Sequence, residues 1–124
     1  WSCFSSAYES VASSSSANSQ ASPRGDAEPY GHEALSVTNC GDADADIRVS
    51  VLFPDREPDT FTLHVPARRV NCFRLDGPVG DSAYRVPFGQ YALLLESSVP
   101  VVAVLGRLDH RKDIAYYELD GFAM

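Results

Sequence analysis

The chain has 124 residues, 44% of them hydrophobic and 22% charged, and its formal net charge is −7. That is one domain's length with enough apolar content for a core, which speaks against disorder over the whole chain. The acidic balance argues against broad nucleic-acid binding and against docking on an anionic membrane, both of which need cationic charge. No apolar run approaches the roughly 18 residues of a membrane-spanning helix. The opening Trp1-Ser2-Cys3-Phe4 has no basic region followed by an apolar stretch, so no signal peptide is expected. Three cysteines, Cys3, Cys40 and Cys72, fit a reducing compartment better than a disulfide scaffold, with a Cys40–Cys72 bridge left open.

In chain order, residues 1–30 read as a flexible, Ser-rich N-terminal segment, partly packed. Nine of the 18 residues from Ser5 to Ser22 are serine, and such a stretch buries too little apolar surface to offset its ordering entropy. Trp1, Phe4 and Tyr8 are the residues that would tack it down. From Gly31 to the C-terminus, short strands alternate with turn signals. Glu33–Asn39 is the first strand and Cys40–Asp44 a turn. Asp46–Phe53 is the clearest strand, with Ile47, Val49, Val51 and Phe53 on one face and Asp46, Arg48 and Ser50 on the other. Phe61–Val65 alternates in the same way, and Arg69–Leu75 is extended. Tyr84–Pro87 is a short strand, followed by strands over Tyr91–Glu96, Val101–Arg107 and Ile114–Leu119. Val101–Leu105 lacks polar alternates, so both of its faces should be covered, by its own domain or by a subunit interface. With no sustained helical period, this spacing gives an all-β fold over residues 31–124, an antiparallel β-sandwich or barrel.

Catalytic and cofactor signatures are not found. There is no nucleophile elbow, no phosphate-cradling glycine loop and no zinc spacing among His32, His64 and His110. Asp42-x-Asp44-x-Asp46 resembles the start of a calcium loop, but Ile47 stands where glycine is required and Phe53 where the bidentate glutamate belongs. No enzyme activity, cofactor or metal is therefore expected. Three polar constellations remain: His32-Glu33 before the first strand, Arg68-Arg69 after Pro66-Ala67, and Arg107-Leu108-Asp109-His110-Arg111 at the end of the apolar strand. Each reads either as structural ion pairing or as a source of ligand donors and acceptors. Arg107, after Gly106, is placed to lie partly buried against a carboxylate.

At these same residues the sequence resembles the sensory rhodopsin transducer family. The matching pieces are His32-Glu33, Asn39-Cys40-Gly41-Asp42, the Val49 strand and Asp55-Arg56-Glu57-Pro58. They continue with Leu63-His64-Val65-Pro66-Ala67-Arg68-Arg69, then Ser98-Val99-Pro100-Val101-Val102 and Arg107-Leu108-Asp109-x-Arg111, in the family's order. The resemblance implies a jelly-roll-like β-sandwich, a homotetramer, and a cytoplasmic role in sensing or signalling. It also implies a small-molecule ligand, sugar-like or a related metabolite. One branch of the family partners a membrane photoreceptor, and DNA binding has been proposed for that branch. The Ser-rich opening departs from the family's pattern.

The leading expectation is a small-molecule-binding regulatory domain whose ligand meets His32, Glu33, Arg68, Arg69, Arg107 and Asp109. Arg69 and Arg107 would donate, and Glu33 and Asp109 accept. The alternative is a soluble signal transducer that partners a membrane receptor. Nucleic acid is not an expected partner, since the charge is wrong and no helix-turn-helix pattern is present.

Overall fold

The computed structural model describes residues 9–13, 32–109, 115–120 and 122–123. Among them are nine strands: β1 (Glu9–Ser13), β2 (His32–Asn39), β3 (Ala45–Leu52), β4 (Asp59–Val65), β5 (Arg69–Arg74), β6 (Ala92–Ser97), β7 (Val102–Asp109), β8 (Ala115–Asp120) and β9 (Phe122–Ala123). Two-residue alternation builds them. In β2 the side chains of Glu33, Leu35, Val37 and Asn39 are buried and the intervening ones half-buried. In β3 Ala45, Ile47, Val49 and Val51 are buried, and Ser50 on the opposite face is buried as well.

All the pairings are antiparallel, and they form two sheets. One has the order β4-β3-β6-β1-β9 and the other β5-β2-β7-β8. The chain changes sheet at every connection except β3–β4 and β7–β8, giving the jelly-roll-like β-sandwich expected from the sequence. The apolar faces meet in one core, in which Leu35, Val37, Ile47, Leu63, Leu93 and Leu105 are almost wholly hidden. Each such side chain contributes about 1.5–3 kcal/mol on burial.

Three expectations change. Glu9–Ser13, read as part of a flexible arm, is strand β1, paired with β6 (Ser10↔Leu95) and with β9 (Ser10↔Ala123). Strand preference follows from the neighbours more than from the residue, and a serine stretch between two partner strands fills its ladder. Trp1, Phe4, Tyr8 and the rest of residues 1–30 lie outside the described residues. Tyr84–Pro87 is not a strand: Tyr84 makes one isolated bridge to Val79, in a tight loop turned by Gly80. Finally, β7 lies between β2 and β8 with Ala103, Leu105, Gly106 and Arg107 buried, but Val102 is 48% exposed, so its own domain leaves part of the other face uncovered.

The connections sort by length onto opposite ends of the sandwich. Residues 40–44, 66–68 and 98–101 make tight turns at one end. At the other lie residues 53–58 and the long stretch 75–91, beside the start of β2 and the end of β7.

Candidate functional site

The β2–β7 register sets Glu33 directly opposite Arg107, both on the core face at the loop end. Arg107 Nε lies 3.5 Å from Glu33 Oε1, and the two side chains are 4% and 3% exposed. Taking two charges out of water is costly, and an ion pair persists there only when close geometry offsets that cost. Gly106, before Arg107, is itself buried. Beside this pair, Arg74 at the end of β5 grips Asp76 with two bonds, Nε to Oδ1 at 2.8 Å and Nη2 to Oδ2 at 2.7 Å. The Arg74 hydrogen bonds, with a smaller contribution from the nearby His32 imidazole, hold the Asp76 carboxyl below its usual range. Asp109 closes β7, opposite Ala115. Thus His32, Glu33, Arg107 and Asp109 do come to one end of one sheet, with Arg74 and Asp76 as neighbours. Sequence reasoning passed over these last two, although an Arg-x-Asp spacing just before the Gly77-Pro78 turn was there to find.

Arg68 and Arg69 are elsewhere. Arg69 pairs with Asn39 at the far end of β2, about 20 Å from Glu33 at the usual rise per residue. The expected gathering of Arg69 and Arg107 around one ligand is therefore not formed. The cause is topological: both follow strand-breaking signals, but one begins its strand at the turn end and the other nears the end of its strand at the loop end.

What the turn end holds is a lock between two turns. Asn39 is 1% exposed. Its Nδ2 donates to the carbonyls of Ala43 (2.8 Å), Val65 (3.2 Å) and Pro66 (3.3 Å), while its Oδ1 accepts from the Gly41 amide (3.0 Å). Arg68 sits in the left-handed region (φ 58°). Its amide bonds the Gly41 carbonyl at 3.1 Å, and its guanidinium reaches Asp42 Oδ1 through Nε (2.8 Å) and Nη2 (2.6 Å). Asp44 accepts from the Ala67 amide at 2.9 Å. His64 lies between two carboxylates, with Nδ1 2.8 Å from Asp46 and Nε2 3.5 Å from Asp44. The hydrogen bond to Asp46 raises the imidazole pKa above its ordinary 6.5. The three aspartates of the apparent calcium loop are thus engaged by Arg68, the Ala67 amide and His64. Among the described residues no group of three metal-ligating side chains is assembled.

Cys40 is disulfide-bonded and Cys72 carries a free, exposed thiol, so the bridge left open between them is not made. A shallow cleft of about 180 Å³ lies on the other sheet, lined by Arg48, Thr60, Phe61, Thr62, Asp81 and Ser82, and it shares no residue with either cluster. No helix among the described residues is long and apolar enough to cross a membrane.

This geometry suits recognition. A buried ion pair and its charged neighbours stand where the long loops meet, and loops on a rigid scaffold are common binding sites.

Comparison with known proteins agrees on fold and family. The chain is similar to a Thermotoga maritima protein, Thermotoga maritima 1070, with a TM-score of 0.73 and 25% identity over 98% of this chain and 97% of that one. It is similar to the Anabaena sensory rhodopsin transducer with a TM-score of 0.51 and 31% identity, over 58% of this chain and 66% of that one. No curated protein matches it. The model of the Anabaena sensory rhodopsin transducer family matches residues 14–118, a span that includes both the turn lock and the Glu33–Arg107 pair. The chain belongs to the Anabaena sensory rhodopsin transducer family.

Proposed function

We propose that this chain is a signal-transducing adaptor that binds a membrane-embedded sensory rhodopsin and relays its state. The family match over residues 14–118 carries the reading, and the likeness to the Anabaena transducer supports it. The adaptor would work at the cytoplasmic side of the membrane, as a homotetramer. The Cys40 disulfide is the feature that weighs against a reducing compartment. The test is titration of the purified chain into a sensory rhodopsin in nanodiscs, in the dark and under illumination, by calorimetry. Saturable binding whose affinity differs between the two conditions is expected. Its absence in both defeats the reading, and sedimentation of the same sample tests the tetramer.

A second reading is favoured by one observation, the Glu33–Arg107 pair hidden beside His32 and the Arg74–Asp76 pair. In it, the loop end holds a sugar-like metabolite, with these groups as donors and acceptors. A panel of sugars and sugar acids should then raise the melting temperature. His32→Ala and Arg74→Ala should abolish the rise, and Arg69→Ala, at the far end, should leave it intact. A rise lost only in Arg69→Ala would move the site to the turn end.

A further inference from the structure

Among the described residues β5 is an edge strand, with β2 on one side and no strand on the other. The bond from the Leu75 amide to the Glu33 carbonyl, 2.9 Å, sets the phase of the ladder. Hydrogen-bonded and non-bonded pairs alternate between antiparallel strands. Arg69, Asn71 and Phe73 therefore bond to β2, while Val70, Cys72 and Arg74 turn their N–H and C=O groups away from it. The side chains of these three are exposed, Val70 by 59%. Among the described residues, no backbone–backbone bond outside the β2 ladder reaches residues 69–74.

The adjacent edge of the other sheet, β4, is guarded. The Asp81 carboxylate accepts the Thr62 N–H at 2.8 Å, the Asp81 amide donates to the Thr62 carbonyl at 3.1 Å, and Asn71 Nδ2 covers the His64 carbonyl at 3.4 Å. Edges are usually blunted by such cover, or by lysine, proline or a bulge. β5 contains no lysine or proline, and its register with β2 is unbroken.

Charge indicates what fits. β5 bears no carboxylate. Arg68 is matched by Asp42 and Arg74 by Asp76. Arg69 rests on the Arg68 carbonyl at 2.9 Å and has no carboxylate partner among the described residues.

We propose that β5 takes up an extended peptide of a protein partner by strand addition, with an acidic side chain at the Arg69 end and an apolar one beside Val70. This names the surface for the adaptor's partner, and to that extent it rests on the adaptor reading.

The probe is a phage-displayed library of random peptides selected on the immobilised full chain. Enriched peptides should alternate β-branched and polar residues and carry a carboxylate near one terminus. When bound, they should slow hydrogen exchange at the Val70, Cys72 and Arg74 amides. Val70→Lys and Cys72→Pro should each weaken them about tenfold or more with little change in melting temperature, because the Cys72 N–H lies outside the ladder. Should Cys72→Pro unfold, Val70→Lys alone decides. Protection elsewhere, or affinity unchanged by Val70→Lys, overturns the proposal. So does an assembly that Val70→Lys dissociates, since a second copy then occupies the edge. A sensory rhodopsin that binds wild type and variants alike overturns β5 as its surface and leaves the adaptor reading standing. Peptides that dock on β5 when no rhodopsin binds uphold strand addition and count against the adaptor reading alone.

Discussion

Glu33 and Arg107 face each other inside the sandwich, and what each does there depends on the other. Removing one partner of a buried pair leaves an uncompensated charge, at a cost of about 3–5 kcal/mol. Glu33→Gln and Arg107→Met should each lower unfolding free energy by about that much in urea melts, and the double variant should lose clearly less than the sum. Strict additivity would mean that the two side chains are not coupled. His64 is the exposed counterpart. Because the Asp46 bond raises its folded-state pKa above 6.5, its contribution to stability is complete below that value. The contribution fades as pH rises through the raised pKa. An NMR titration should place the His64 midpoint above 6.5, and His64→Gln should flatten the pH dependence of stability in that window. A midpoint at or below it would refute the Asp46 bond in solution. Arg107 was legible in the sequence as a partly buried partner for a carboxylate, because an arginine ending an apolar strand must be paired. That its partner is Glu33 was not, since only the strand register brings residues so distant in sequence together.

Among the elements, the strands with strict alternation were the readable ones: β3 was expected at Asp46–Phe53 and lies at Ala45–Leu52. β1 was unreadable because its serines carry no pattern and its place comes from the strands on either side. The loop that guards β4 depends on Gly80. Its φ is +72°, and a Cβ there would meet the Thr62 carbonyl at 2.7 Å and the Phe61 ring at 2.8 Å. Phe61 in turn stacks on Tyr84, with ring centroids 5.1 Å apart, and the Tyr84 hydroxyl donates to Asp59 at 2.7 Å. Burial, with that bond to Asp59, raises the Tyr84 pKa. Gly80→Ala should therefore cost about 1–3 kcal/mol. It should also speed hydrogen exchange at the Thr62 amide. An unchanged melting temperature would show that the loop does not press on β4.

For the whole molecule, the sandwich and its family were legible because patterning and motifs run from Gly31 to the C-terminus. The division of the six candidate residues between two ends was not, because sequence order does not tell at which end a strand starts. The cysteines bear on where the molecule works. A thiol reagent applied to the native chain should label Cys72 and should reach Cys40 only after reduction. Immediate labelling of Cys40 in protein prepared from alkylated cells would mean that the disulfide is absent in vivo. The strand order β4-β3-β6-β1-β9 has a temporal side as well. A ribosome delivers β1 before β6 and β9, the two strands that flank it. The larger sheet therefore cannot close until β6 and β9 have been made, and β1 stays unpaired until synthesis has passed Ser97. Such long-range pairing slows folding. Newly made chains should accordingly depend on dilution or chaperones to a degree that the finished domain does not.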